Sequence, residues 1–285
     1  MRVSVLPICF LFLPVLAQEQ DRPLPDQTKF MEEFKKSLHP PEKLLSQYTY
    51  TLKETELNLD TKGKIGKTET NVYTIIHGAE DWQTYERQIS KKGVPLTEKE
   101  LADEDRKERE RVDKETRKRA GWSDAKRQQE KAKAEREERE TTDDIFATFD
   151  YQFVRRETLN QVSTILVNFN PKKNYKPKTS DARELQHAAG RLWISEDDHQ
   201  LVRLEAELLD SIKMGFGLLA KVQKGSKVSF ESRKINDEIW LPIKAEMSLN
   251  GRLLLLKGLN INVILEFSDH KKFNVDTILN FKDLQ

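Results

Sequence analysis

Alternation of apolar and polar residues constrains this chain more than any other feature of its sequence. Residues 190–208, GRLWISEDDHQLVRLEAEL, hold two apolar-rich runs on either side of a short acidic segment. In the second run, Val202, Leu204, Ala206 and Leu208 alternate with largely polar neighbours. Successive side chains of a strand point to opposite faces, so this stretch predicts a hairpin with one buried face. That face covers either an ordinary core or a cavity.

Similar runs recur along the chain and define the fold class. Runs of this kind begin near Tyr48 and Phe149, and a late one places Ile261, Val263 and Leu265 on one face. Short links and the absence of βαβ spacing indicate an antiparallel meander. A sheet of about ten or eleven strands tends to curl. We therefore expect an α+β fold, in which a curled antiparallel sheet forms an unclosed barrel covered by helices.

The helical segments differ in character. Phe30, Phe34 and Leu38 are spaced by four residues, which predicts an amphipathic N-terminal helix. Residues 98–140 carry nearly balanced acidic and basic residues with too few apolar ones for a coiled-coil seam, and Gly121 divides them into two predicted helices. The favoured interpretation is a solvated, charged helical insertion that projects from the domain. The alternative is an arm that docks a partner.

The N-terminus has the pattern of a secretory signal. Arg2 precedes an apolar run that ends at Ala17, and the residues before this point suit signal peptidase, which predicts cleavage after Ala17. The only cysteine, Cys9, lies in this leader, so the mature chain would have no disulfide. We expect residues 1–17 to be a signal peptide and residues 18–285 to form one exported, periplasmic domain that includes the insertion.

The charge balance excludes one class of partner. The chain has 49 Lys and Arg against 48 Asp and Glu, a formal net charge of +1. Nucleic-acid-binding domains normally show a strong basic excess, so we expect no nucleic-acid partner.

Motifs of catalysis are scarce. The sequence has no G-x-S-x-G, H-E-x-x-H or phosphate-binding glycine loop. Ser268 and Lys271 match S-x-x-K, but they end a predicted strand and lack the companion motifs. The acidic turn at residues 196–199 could hold a cation, although such turns are usually only solvated. We therefore predict a protein that is not an enzyme, with no catalytic residues, no metal and no cofactor.

One hairpin and one later strand carry a family resemblance. The hairpin matches at Gly190, Leu192, Trp193, Ile194, Leu201, Val202 and Arg203, and residues 237–247, DEIWLPIKAEM, match a later strand. With the order of signal peptide, amphipathic helix and antiparallel meander, the chain resembles the LolA/LolB-like outer-membrane lipoprotein-sorting superfamily. The resemblance implies an unclosed β-barrel with an apolar cavity for acyl chains, working in the periplasm. The charged insertion is not part of the simple carrier.

The expected ligand site is apolar and needs a lining and a movable lid rather than catalytic groups. Burial contributes about 0.8 kcal/mol per methylene, roughly 12 kcal/mol gross for a sixteen-carbon chain. The residues expected to line the inner face are Leu192, Ile194, Val202, Leu204, Met214, Phe216, Phe230, Ile261, Val263 and Leu265. Trp193 should lie on the outer face, where Arg203 could stack on it.

The sequence thus predicts a periplasmic binding or carrier protein for acyl chains of lipids or lipoproteins, and outer-membrane lipoprotein sorting is one role that the resemblance implies for it. The alternative is an envelope sensor or scaffold that docks a partner protein through the charged insertion.

Overall fold

The computed structural model describes residues 22–38, 42–60, 62–78, 80–214, 220–253 and 257–273. The predicted leader and its cleavage site lie outside these ranges. The helices are α1 (Gln27–Ser37), α2 (Glu42–Leu45), α3 (Glu98–Ala120), α4 (Asp124–Thr148) and α5 (Ser180–Leu185). The strands are β1 (Tyr48–Leu59), β2 (Ile65–Ile76), β3 (Tyr85–Lys91), β4 (Val94–Pro95), β5 (Phe149–Leu159), β6 (Val162–Pro171), β7 (Ala188–Ser195), β8 (Leu201–Leu208), β9 (Ile212–Met214), β10 (Ala220–Val222), β11 (Lys227–Ile235), β12 (Ile239–Leu253) and β13 (Lys257–Lys272).

The strands form a single antiparallel sheet. Its order is β4-β3-β2-β1-β13-β12-β11-β8-β7-β6-β5, with the short β9 and β10 paired beside β12. The first strand, β1, pairs with the last, β13, along most of its length. Strands β4 and β5 lie at opposite ends of this order, so within the described residues the sheet is not closed. The predicted fold class is confirmed.

Helix α1 covers one part of this sheet. The Asp26 carboxylate accepts a hydrogen bond from the Lys29 backbone N–H at 2.9 Å and caps the helix. The buried side chains of the helix, Phe30, Met31 and Phe34, pack on the apolar face of strands β5 to β8. This contact forms the largest buried cluster of the described residues. It confirms the predicted amphipathic helix for Phe30 and Phe34, whereas Leu38 follows the last helical residue and is exposed. No helix in the described residues is both long and apolar enough to cross a membrane.

The charged insertion is less detached than the sequence suggests. Arg87 on β3 makes a bidentate ion pair with Asp105 on α3, at 2.8 and 2.9 Å, and the Tyr85 hydroxyl donates to the same carboxylate. Helix α3 is therefore fastened to the sheet, and the expectation that the whole insertion projects into solvent is wrong for α3. By contrast, residues 123–140, which cap α4 and form its first part, are all exposed. The division at Gly121 is confirmed.

Helix α4 continues past the insertion into the core. The sequence suggests a helix cap at residues 141–144, but the helix runs through them to Thr148. Asp144 is 5% exposed and accepts hydrogen bonds from the Tyr175 hydroxyl (2.6 Å), the Lys178 N–H (2.7 Å) and the Thr179 N–H and hydroxyl (2.7 and 2.9 Å). The carboxylate thus caps the loop before α5, not its own helix. Burial alone would raise the pKa of Asp144, but these hydrogen bonds outweigh it and lower the pKa to about 2.

Replacing Asp144 with asparagine should remove a pH-dependent part of the stability. Because the folded pKa lies below that of an unfolded aspartate, the carboxylate stabilises the native state fully above about pH 4 and progressively less down to about pH 2. The difference in free energy of unfolding between the wild type and Asp144→Asn should therefore shrink by about 2 kcal/mol over this interval, as measured by urea titration. Asp124→Asn, at a 95% exposed carboxylate, should show no such change. A difference for Asp144→Asn that stays constant with pH would contradict this account.

Candidate functional site: the apolar inner face

The inner face is the side of the sheet on which α1 lies, and strand register makes it continuous. Directly paired residues of neighbouring antiparallel strands point to the same side. One row across nine strands, from β5 to β2, consists of Phe153, Val167, Leu192, Leu204, Phe230, Ala245, Leu265, Glu54 and Asn71. The next row consists of Tyr151, Phe169, Gly190, Ala206, Val228, Met247, Val263, Glu56 and Glu69. Both rows are apolar from β5 to β13 and turn polar at β1.

Helix α1 covers only the first part of these rows. Leu192 and Ile194 are 6% and 0% exposed beneath Phe30, Met31 and Phe34. Leu204 and Ala206 lie at the margin of this cluster.

Beyond Leu204, the side chains of the inner face are more exposed than those beneath α1. Phe230, Val263, Leu265 and Ile261 are only half-buried, and none of them belongs to a buried cluster of the described residues. Val228, in the same rows, is 37% exposed. We call the surface of β11 to β13 formed by these five residues the uncovered floor.

The opposite face of the same strands carries charge. Its corresponding row consists of Trp193, Arg203, Glu231, Lys244, Glu266 and Lys53. Arg203 pairs with Glu231 at 3.6 Å, and Lys53 pairs with Glu266 at 2.9 Å. The Arg203 guanidinium lies 5.3 Å from the centre of the Trp193 ring, which confirms the predicted stacking on the outer face. The two faces of β8 to β13 therefore differ sharply in polarity.

A bulge moves one predicted lining residue to the outer face. The register of β7 and β8 shifts between Trp193, which pairs with Arg203, and Ile194, which pairs with Leu201. Val202 is the extra residue, and it packs with Leu166 and Trp193 in a separate cluster. The expected placement of Val202 beside Leu204 is therefore wrong, and Leu201 takes its place on the inner face.

Two further predicted lining residues are Met214 and Phe216. Met214 ends β9, with its backbone opposite that of Ala220. Phe216 lies outside the described residues.

An ion pair fixes the segment that leads into α1. Arg156 has a side chain only 4% exposed, and its guanidinium makes a bidentate contact with Glu196 at 2.6 and 2.7 Å. The same guanidinium donates to the carbonyl oxygens of Arg22 and Pro23 at 2.7 and 3.1 Å. Its hydrogen bonds to Glu196 hold the pKa of that carboxyl below its usual range, against the opposing effect of burial. The start of α1 is thereby fixed to the end of the sheet.

The other end of α1 is held by the turn between β7 and β8. The Ser37 hydroxyl donates to the carbonyl oxygen of His199, and the Gln200 amide donates to the carbonyl oxygen of Ser37 at 2.9 Å. The Phe30 and His199 rings also lie 4.7 Å apart. Both ends of α1 are thus attached to elements whose positions depend on the acidic turn at residues 196–199.

Two of the three carboxylates of that turn, those of Glu196 and Asp198, have partners within the protein. Glu196 is engaged by Arg156, while Asp198 accepts from the Lys234 ammonium at 3.2 Å and the Trp240 indole at 3.1 Å. Among the described residues, no three His, Cys, Asp or Glu side chains are grouped as metal ligands would be. The geometry assigns the turn to holding α1 and the β11–β12 hairpin.

Aromatic titratable groups at the other end of the inner face are kept neutral. The Tyr50 ring lies 5.7 Å from Phe267 and 5.3 Å from His270. Burial, assisted by the charge of Glu86, raises the pKa of Tyr50 to about 12. Burial also lowers the pKa of His270, against a contact with the Pro242 carbonyl oxygen that raises it. Both shifts favour the uncharged forms, which suits an apolar surface.

Comparisons with known proteins found similarity only to solved structures. No protein-family model matches the sequence, and no curated protein matches it. A DUF1329 family protein from Desulfovibrio piger is 11% identical over 86% of this chain and 90% of its own, with a TM-score of 0.32. A LolA superfamily protein from Nitrosomonas europaea is 8% identical over 87% and 93%, with a TM-score of 0.33. A domain named for outer membrane lipoprotein sorting, from Vibrio parahaemolyticus, is 10% identical over 86% and 91%, with a TM-score of 0.30.

At this level of identity and structural agreement, these structures carry no conclusion about the family or the function of this chain.

Replacing Arg156 with methionine should loosen α1 and destabilise the fold. The change leaves the partly buried Glu196 carboxylate with the more exposed Arg22, at 3.2 Å, as its remaining cation, and it removes the donors to two backbone carbonyls. Loss of one partner of a buried pair costs about 3 kcal/mol. Thermal and urea unfolding should show this loss, and amide exchange should rise along α1. Arg155→Met, at a neighbour whose side chain is 60% exposed, should cost less than about 1 kcal/mol. Equal effects of the two variants would contradict the assigned role.

Proposed function

We propose that this chain is an exported, periplasmic binding protein that holds an acyl chain of a lipid or lipoprotein against the inner face of its sheet. The observation that carries the proposal is the uncovered floor, an apolar surface that continues the packed rows beneath α1 without being covered as they are. Extended apolar surfaces of this kind on soluble domains commonly mark binding sites.

On this proposal the expected lining residues have different roles. Phe230, Ile261, Val263 and Leu265 would contact the acyl chain directly, with Leu204 at the boundary of α1. Leu192 and Ile194 are packed beneath α1 and would meet a ligand only after the helix moves. Val202 faces the other side and is not expected to contact it.

The polarity of the two faces supports this arrangement over binding on the outer side. A hydrocarbon chain gains about 25 cal/mol for each square ångström removed from water, and it gains this only against apolar partners. The outer row would instead require desolvation of Arg203, Glu231 and Lys53. At β1 the inner rows change to Glu54 and Glu56, which sets the far limit of the apolar site. Lipoprotein sorting would be one use of such a site.

Replacement of Leu265 by glutamine tests the proposal against a neighbour in the same strand. Leu265 lies on the inner face, whereas Ile264 pairs with Thr55 and Glu246 on the outer face. Leu265→Gln should weaken binding of a fluorescent long-chain fatty acid about tenfold, because a buried leucine contributes about 1.5–3 kcal/mol. Ile264→Gln should change the affinity by less than about twofold.

Circular dichroism and thermal unfolding would verify that both variants remain folded. Wild-type protein that binds no fatty acid, and carries no lipid when purified from membranes as judged by native mass spectrometry, would overturn the proposal. Equal weakening by the two variants would place the ligand elsewhere.

A second function, docking of an envelope partner protein through the insertion, is favoured by one observation. Residues 123–140 form a fully exposed helical arm whose charges pair mainly along the helix, as in Lys131–Glu135 and Arg136–Glu140 at 3.9 Å each. Replacing residues 98–140 with a short glycine-serine linker should abolish partner docking and leave fatty-acid affinity within about twofold. Loss of fatty-acid binding in this variant, with the fold intact by circular dichroism, would mean that the insertion belongs to the acyl site.

A further inference from the structure

The loop that joins β6 to α5 carries a cluster of exposed lysines. Residues 170–180, NPKKNYKPKTS, contain four lysines and no acidic residue, although the whole chain is close to neutral. Lys173, Lys176 and Lys178 are exposed, and none of the three forms an ion pair with another described residue. We call residues 170–180 the lysine loop.

The lysine loop differs in this respect from the other basic parts of the surface. The cations of α3 and α4 largely pair with carboxylates one turn away, as in Lys107–Glu104 at 2.8 Å. Around the lysine loop, exposed Asp150 lines a shallow groove with Lys172 and Lys173, and exposed Asp181 follows in α5. In α5 the exposed cation of Arg183 is matched by the exposed carboxylate of Glu184, and the Asp144 carboxylate that binds the loop is buried. On the surface, the four exposed lysines of the loop therefore outnumber the exposed carboxylates Asp150 and Asp181.

Hydrogen bonds hold the backbone of the lysine loop in place. Asp144 binds the N–H groups of Lys178 and Thr179 and the Tyr175 hydroxyl. The Lys172 N–H donates to the Thr148 carbonyl oxygen at 2.9 Å, and the Arg183 guanidinium donates to the Lys178 carbonyl oxygen at 2.6 Å. Binding by such a loop needs little ordering of the chain, which favours affinity.

An exposed apolar side chain lies at the end of the helix that follows. Leu185, the last residue of α5, is 43% exposed. Lysines with a nearby exposed leucine suit the boundary between headgroups and acyl chains of a bilayer, where cations meet anionic headgroups and an apolar group enters below them.

We propose that the lysine loop docks the protein on an anionic phospholipid surface. The charge complementarity of Lys173, Lys176 and Lys178 carries the proposal, and the Asp144 hydrogen bonds keep these lysines together on one outward-facing segment. The three ammonium groups bind headgroups from outside the sheet. The docking therefore does not depend on whether the inner face holds an acyl chain.

Vesicle binding by the full chain tests the proposal. The wild type should sediment with vesicles of equal parts phosphatidylcholine and phosphatidylglycerol, and not with phosphatidylcholine alone. Each lysine near an anionic surface is worth about fivefold in affinity, so the triple variant Lys173→Gln, Lys176→Gln, Lys178→Gln should bind about 100-fold more weakly. Raising the salt from about 0.1 M to about 1 M shortens the screening length from about 10 to about 3 Å and should release the wild type.

A matched triple variant controls for net charge. Lys43→Gln, Lys62→Gln and Lys64→Gln remove the same charge from exposed lysines elsewhere. This variant should bind anionic vesicles within about twofold of the wild type. Equal loss in the two triple variants, or equal binding of the wild type to both kinds of vesicle, would overturn the proposal. So would a wild type that ignores vesicles but is retained by immobilised polyglutamate, since that result would indicate an acidic protein partner.

Discussion

The contact between α1 and strands β5 to β8 divides the apolar side of this sheet into two parts. A sheet with one apolar face must bury it against another layer, and α1 does so with Phe30, Met31 and Phe34. Phe30 meets Phe153 edge-on at 5.5 Å, and Phe34 lies 5.8 Å from Phe146 of α4. An eleven-residue helix is about 16 Å long, so it cannot cover all the strands of this sheet. The remaining apolar rows are the structural basis of the proposed site.

The attachments of α1 determine how such a site could open. Arg156 and Glu196 hold the segment before the helix, while His199 and Gln200 hold its end. These contacts come from one end of the sheet and from one turn. A change in the conformation of residues 196–199 would therefore alter the contacts at both ends of the helix. Displacement of α1 would expose Leu192 and Ile194 and extend the apolar floor toward β5.

Much of the fold could be predicted from the sequence, because the alternation of apolar and polar residues indicates which face of a strand each side chain lies on. The hairpin of β7 and β8, the inner position of Leu265 and the stacking of Arg203 on Trp193 all follow from that period. The position of Val202 could not be predicted, because the bulge depends on how β8 pairs with β7. The alternation of apolar and polar residues shows no sign of it. The length of α4 could not be predicted either. Asp144 is a residue type that commonly caps helices, but here it binds a loop distant in sequence. The free-energy cost of burying the Asp144 carboxylate is offset by hydrogen-bond donors that no local sequence pattern reveals.

The pairing of β1 with β13 has a consequence for how the chain reaches its native state. Tyr48 lies opposite Lys272, and Asn58 lies opposite Ile261, so these contacts join residues separated by most of the sequence. Closing such long loops is entropically costly and makes folding slow. The central seam of the sheet cannot form until the C-terminal strand has emerged from the ribosome. Until synthesis is complete, β1 therefore lacks the strand with which it pairs in the native sheet. A chain in this state is compatible with passage across a membrane before folding.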